Sequence, residues 1–198
     1  PMALSAEKVR AMGYTELPTE GWIPTMVPGA PAGWAALNER FGTMPLDQLF
    51  APAIRYAEEG FPVPTNVSRP WKIDSQRIAK AMEKNPAPHE YWWKLFMKPD
   101  GTPYRAGEMF HCPEYAAAMR ELAETHCESY YRGALMEKIV AYSRETGGYF
   151  CEDDFRNYHA EWVEPITQGY RGYTVCEIPP SGHGITVLMA LGILDGLR

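Results

Sequence analysis

The sequence predicts an α+β chain that is mostly helix, with one β-hairpin near its C-terminal end. Three observations carry this reading. Leu46, Leu49, Phe50, Ala53, Ile54 and Ala57 recur at the spacing of one helix face. Tyr173 to Ile178 alternates in strand fashion, after Gly169 and Gly172 bracket a turn. Pro179-Pro180 stops that strand, and Ser181-Gly182-His183-Gly184 opens an apolar helix that runs to Leu194.

Taken in order, Pro1 to Gly13 reads as helix, with Ala3, Leu4, Val9 and Met12 on one face. Thr15 to Pro31 is a Pro- and Gly-rich loop, and Ala32 to Phe41 a short helix ending at Gly42, in a left-handed cap position. Pro45 sits in the first turn of the next helix, where its missing N–H costs nothing. Pro52 bends that helix and Gly60 ends it. Val67 to Lys84 is a weaker helix starting near Ser68 or Pro70, followed by a turn at Asn85 to Pro88. Tyr91 to Met97 is an aromatic run, and Pro99-Asp100-Gly101 a hairpin-type turn. Cys112-Pro113 opens a helix to Thr125 that buries Tyr115, Met119, Leu122 and Ala123. Ser129 to Thr146 is helical, broken at Gly133 and ended by Gly147-Gly148, and Glu152 to Phe155 is an acidic helical turn. Pro165 to Gln168 pairs with Tyr173 to Ile178.

The chain has 198 residues, 45% hydrophobic and 22% charged, enough for one domain with a core. Its net charge is −6 and it has no basic run, which argues against a nucleic-acid partner. No apolar stretch reaches the ~18 residues of a membrane-crossing helix, so no membrane partner is read. Cysteines 112, 127, 151 and 176 are widely and irregularly spaced, and free thiols are expected.

No composition shift marks a boundary, so residues 1–198 read as a single partial domain. Two strands do not make an independent sheet. Pro1 is an unusual first residue and Arg198 an abrupt last one, and the expectation is a fragment of a longer chain. An unpaired strand edge predicts self-association of such a fragment.

Several residues invite chemistry. Ser181 and His183 suggest a serine hydrolase, but a nucleophile elbow needs Gly two residues before the Ser, and Pro179 stands there; a structural turn is the simpler reading. His111-Cys112 and His126-Cys127 resemble a zinc set, yet a helix of about thirteen residues between them separates the pairs by ~20 Å. Glu152, Asp153 and Asp154 at a helix start suit the macrodipole, and Glu58 and Glu59 at a helix end suit solvent. Tyr91, Trp92, Trp93 and Phe96 form an aromatic knot that suits core or interface better than a ligand platform.

Three blocks carry a resemblance. Val27-Pro28-Gly29-Ala30-Pro31-Ala32-Gly33, Phe41-Gly42-Thr43-Met44-Pro45 and Pro52 to Val63 form the first. Tyr130-Tyr131-Arg132-Gly133, Gly147-Gly148, Glu152 to Phe155 and Tyr158 form the second. Tyr170-Arg171-Gly172-Tyr173 with Pro179-Pro180-Ser181-Gly182 form the third. In order and spacing the chain resembles the gamma-glutamyltransferase (gamma-glutamyltranspeptidase) family over Val27 to Leu197. The resemblance implies the central part of the large subunit of an N-terminal-nucleophile hydrolase, a partial αββα sandwich in which this chain supplies a helical layer and a hairpin. It implies a self-cleaving precursor and a threonine nucleophile on a small subunit, acting on a gamma-glutamyl amide with its α-amine as base. That threonine lies beyond the matched segment, and the carboxylate-gripping arginine before it. No catalytic residue, no metal ligand and no cofactor is therefore assigned here, and the substrate-binding residues stay unassigned. The implied partners are the remainder of the parent chain, including the catalytic small subunit, and a small gamma-glutamyl substrate. Many members read Pro-Pro-Pro-Ser-Ser-Gly-Gly where this chain has Ile178-Pro179-Pro180-Ser181-Gly182-His183-Gly184. The turn is kept but its side chains differ, so gamma-glutamyl compounds, cephalosporin-type side chains and other amides all stay open as acyl donors. A noncatalytic helical module with the family's shape is the other class of reading.

Overall fold

Ser5 starts the first helix of the computed structural model, which describes residues 1–197. Its hydroxyl accepts from the Lys8 amide at 3.2 Å, and α1 runs Ala6–Ala11. The helix expected over residues 1–13 is thus shorter at both ends, because the cap lies inside the expected span. α2 (Ala30–Phe41) follows a loop, and Gly42 ends it at φ −69, ψ 138. This corrects the expected left-handed cap. Asn38 crowds the position instead: a Cβ on Gly42 would overlap its side chain and carbonyl. The Gly42 amide donates to the Asn38 carbonyl at 2.8 Å, and Asn38 Nδ2 donates to the Met44 carbonyl at 2.8 Å. Close approach, not handedness, requires glycine here.

Pro45 caps α3 (Leu46–Glu59), Pro52 lies inside it, and Gly60 ends it at φ +84. β1 (Phe61–Pro62) leads into α4 (Thr65–Met82), which begins earlier than expected and contains Pro70. Its first turn is closed by the Pro64 carbonyl, which accepts from Val67 at 3.0 Å and Ser68 at 2.9 Å. After a 3-10 turn at Ala87–His89, the aromatic run forms a helix, α5 (Glu90–Phe96). The Trp71 indole N–H donates to the Phe96 carbonyl at 2.8 Å and anchors that helix end on α4. β2 (Met109–Phe110) pairs antiparallel with β1, Phe61 opposite Phe110. Two-residue strands carry no alternation to read, so this small sheet was not expected from the sequence.

α6 (Pro113–Glu124) is tied to α3 by the Cys112 amide, which donates to the Ala57 carbonyl at 2.8 Å. It buries Ala116, Met119 and Leu122. Tyr115, expected inside, is 51% exposed, because it sits about 100° round the helix from the Ala116 position. α7 (Ser129–Arg132), α8 (Ala134–Glu145) and α9 (Glu152–Arg156) follow, broken at Gly133 and turned at Gly147 as read.

Two compact units divide the residues: one from Pro1 to His159, the other from Ala160 onward. The first holds three apolar clusters. Tyr131, Met136, Val140, Phe150 and Phe155 form one; Leu46, Met119, Leu122 and Cys127 join α3 to α6; Val63, Phe110 and Cys112 pack under Trp71, Phe96 and Tyr104. The second unit is the hairpin β3 (Ile166–Tyr170) and β4 (Tyr173–Glu177) with α10 (Gly184–Asp195) packed on it. Its two-residue turn has Arg171 at φ 48 and Gly172 at φ 84, the pair of positive φ angles that suits the twist of a hairpin. Among the described residues no helix is long and apolar enough to cross a membrane, and all four cysteines are free.

Phe155 has 0% exposure and edges against Phe150 with centroids 5.0 Å apart. Replacing Phe155 by Ala is expected to cost about 3–5 kcal/mol of unfolding free energy in chemical denaturation. A loss below about 1 kcal/mol would show that this cluster is not the core of the unit.

Candidate functional site

Tyr131 joins the first two motif blocks. Its hydroxyl donates to the Pro28 carbonyl at 2.7 Å and accepts from the Ala32 amide at 3.1 Å. It therefore holds the loop that enters α2 against α7. Burial pushes the phenol up to about 12, so it stays a neutral donor at ordinary pH. Tyr158 stacks on Tyr131 with centroids 5.2 Å apart and planes 11° from parallel. Gly29 meets the Tyr158 hydroxyl where a Cβ would lie, so no larger residue fits beneath that stack. Val-Pro-Gly, the paired tyrosines and the later Tyr158 are one packed object.

Gly147-Gly148 has a similar cause. Gly147 takes φ +78 to end α8, and a Cβ on Gly148 would overlap the Trp22 ring and the Ser143 hydroxyl. Trp22 is fixed from its other side by Nε1, which donates to Thr146 Oγ1 at 2.9 Å. Trp22 also lies edge-on to Phe150 at 5.7 Å. Neither the Trp22 wedge nor the Tyr131 bridge was legible as a contact, since each joins residues more than ninety positions apart.

In the second unit, α10 covers the face of the hairpin that bears Gln168 and Glu177. A Cβ on Gly184 would overlap the Glu177 side chain, while one on Gly192 would only touch Gln168. Glycine at 184 lets the helix start close to the strand. The opposite face carries Thr167, Gly169, Thr174 and Cys176, paired across the register as Thr167 with Cys176 and Gly169 with Thr174.

The chemically inviting residues fall as follows. Ser181 and His183 are both exposed in the turn before α10, and no hydrogen bond joins them. Cys112 starts α6 and is buried; Cys127 lies buried beyond its end, where burial foremost, with the Glu128 charge, pushes its thiol up to about 11. No group of three or more His, Cys, Asp or Glu among the described residues could hold a metal ion. Glu58 pairs with Arg120, and Glu152 with Arg156. Phe96 stacks on Phe110 at 5.9 Å within the third cluster, whereas Tyr91 is 57% exposed and meets Tyr142 edge-on.

Asp154 does more than complement a macrodipole. One carboxylate oxygen accepts from the Cys151 amide at 2.9 Å and the other from the Met2 amide at 2.6 Å. The side chain closes the start of α9 and ties the N-terminal segment to it.

The family model for gamma-glutamyltranspeptidase matches residues 1–198. This chain belongs to the gamma-glutamyltranspeptidase family. Among solved structures of related proteins, the cephalosporin acylase from Bacillus halodurans is 44% identical with a TM-score of 0.92, over 100% of this chain and 37% of that one. The gamma-glutamyltranspeptidase of Helicobacter pylori is 25% identical with a TM-score of 0.82, over 93% of this chain and 51% of that one. Among curated proteins, the glutathione hydrolase-like YwrD proenzyme of Bacillus subtilis is 31% identical over 184 residues, covering 92% of this chain and 33% of its own length. The acylase ACY 1 proenzyme of Pseudomonas sp. (strain V22) is 33% identical over 171 residues, 86% of this chain and 29% of its own. The chain thus spans about a third of the length of these curated relatives. The helices and hairpin form a partial α+β fold of the N-terminal-nucleophile type shared by the transpeptidases and the acylase, as expected from the motif blocks.

Burial raises the Asp154 pKa, but the Cys151 and Met2 amides outweigh it and leave the carboxyl below its usual value. A depressed acid contributes stability above its unfolded pKa and loses it as pH falls through the folded one. Asp154→Ala is expected to cost about 1 kcal/mol near neutral pH, as for a lost cap, and the gap between variant and parent sequence should close in acid below about pH 4. Denaturation midpoints across pH measure this; a gap that widens in acid would contradict it.

Proposed function

We propose that this chain is part of the large subunit of a gamma-glutamyltransferase-like enzyme, one that transfers or hydrolyses gamma-glutamyl groups such as that of glutathione. The observation that carries the reading is the family match over residues 1–198, in which the Val-Pro-Gly loop packs on Tyr131 and Tyr158 and the diglycine seats Trp22. On this reading a threonine hydroxyl, freed as the N-terminus of the small subunit, attacks the gamma-glutamyl carbonyl. Its α-amine takes the proton, the amine product leaves, and the acyl-enzyme passes to water or to an amino acid. None of these groups is assigned to the present residues. The chain is instead a shaped support, one part of a domain completed elsewhere in the longer protein.

The remainder of that protein is the proposed partner. α10 is apolar on every side: Met189 is 62% and Ile193 66% exposed. A helix of that character belongs inside a larger core. The hairpin likewise has two strands only, and its edges call for neighbours. Without those neighbours the fragment is expected to self-associate.

A second reading, amide acylase chemistry of the cephalosporin acylase kind, is favoured by the 44% identity to that enzyme along the whole chain. Both readings are tested on the processed full-length parent. It is assayed with a chromogenic gamma-glutamyl anilide and with a cephalosporin bearing an acyl side chain on its ring amine. Release of the anilide chromophore supports the first reading. Exclusive cleavage of the cephalosporin supports the second, and turnover of neither overturns both.

Cys176 reports on the partner. It is exposed on the open hairpin face, whereas Cys127 is buried with a raised thiol. Iodoacetamide is expected to label Cys176 and spare Cys127 in residues 1–198 alone, and to spare both in the processed parent. Equal labelling of Cys176 in the two would mean that the rest of the protein leaves this face open.

A further inference from the structure

A cleft of about 500 Å³ opens between the loop at residues 14–23, the C-terminal half of α4 and the turn after α8. That volume suits a small organic molecule. One wall is cationic: Arg77 and Lys80 lie on the last turns of α4, and Lys84 lies in the turn that continues it, where the Ala81 carbonyl accepts from the Lys84 amide at 3.1 Å and the Asn85 amide at 3.0 Å. Glu20 neutralises Arg77 by an ion pair. Lys80 and Lys84 pair with no carboxylate among the described residues. The facing wall includes the Trp22 and Tyr149 rings. Trp22 is fixed in place by its bond to Thr146 and by its seat on Gly148, so this wall exists before any ligand arrives.

We propose that this cleft binds a small dicarboxylate, one carboxylate on Lys80 and the other on Lys84, with the apolar stem along Trp22. Charge-assisted bonds from the two ammonium groups supply affinity, and the ring wall shields the stem. The end of α4 and its continuing turn separate the two lysines by ~6 Å along the axis, which suits two separate carboxylates better than the clustered oxygens of one phosphate. The assignment does not depend on which amide the parent cleaves, since it is read by binding alone.

Titration calorimetry of the processed full-length parent with glutarate tests it, with inorganic phosphate as the contrasting arm. Saturable glutarate binding is expected, weakened about tenfold or more in Lys80→Gln/Lys84→Gln, the loss expected for removed charge-assisted bonds. A control pair on other helices, Lys94→Gln/Lys138→Gln, should stay within about twofold, because screened surface charges at a distance contribute little. Phosphate should bind more weakly than glutarate. No saturable glutarate binding, binding undiminished in the Lys80/Lys84 variant, an equal loss in the control, or phosphate binding as tight as glutarate would each overturn the proposal.

Discussion

The arrangement of the larger unit depends on one buried hydroxyl. Tyr131 reaches from α7 to the loop before α2 and satisfies a carbonyl there with its proton and an amide with its oxygen. Removing it would leave a partly buried carbonyl and amide without partners, which is more costly than the loss of one surface bond. The same ring supports Tyr158, and Tyr158 in turn leaves room for nothing larger than Gly29. Five motif residues, Pro28, Gly29 and Ala32 from one segment with Tyr131 and Tyr158 from two others, therefore constrain one another. A change at any of them propagates to the others, and this gives a physical reason for a Val-Pro-Gly loop to occur together with a Tyr-Tyr pair.

Local signals in the sequence were sufficient where a single element decides its own form. The α3 stripe, the stop at Gly60, the turn at Gly147 and the hairpin around Arg171-Gly172 follow from periodicity or positive φ, and the break at Gly133 from an extended glycine that Ser129 of the preceding turn crowds. The misses share a cause: a distant residue decides the outcome. The aromatic run of α5 is divided among distant partners: Phe96 meets Trp71 and Phe110, while Tyr91 meets Tyr142, all on other elements. β1 and β2 exist through pairing across nearly fifty residues, with too few positions each to show a pattern. Gly42 was given the wrong reason because only the fold reveals Asn38 folding back over it. Asp154 read as one of three equivalent acids until Met2 was found at its carboxylate.

The candidate site was legible to a different degree. Motif blocks could be recognised, yet no residue among them could be given a chemical role, and the structure explains why. The blocks are glycines, prolines and tyrosines that shape backbone and fill space. Ser181 and His183, the pair that most resembles catalytic equipment, sit exposed without a mutual hydrogen bond. What these residues share is geometry: Gly184 lets a helix begin against Glu177, and Pro179-Pro180 turns the chain into it.

The departure at Ile178 to Gly184 changes side chains at a turn whose backbone is fixed by packing. The strand-to-helix path needs small residues near Gly184, where Glu177 crowds the backbone. It places no such demand on position 183, whose side chain is exposed. Side-chain identity there is consequently free to vary without disturbing α10. Relatives at comparable identity include both an acylase and a glutathione hydrolase-like proenzyme. Within a shared fold, selectivity among amides comes from groups that touch the substrate, not from the scaffold. What this turn supplies is scaffold: Gly184 fixes the path of the chain against Glu177, and the exposed side chain of His183 is not needed to hold it.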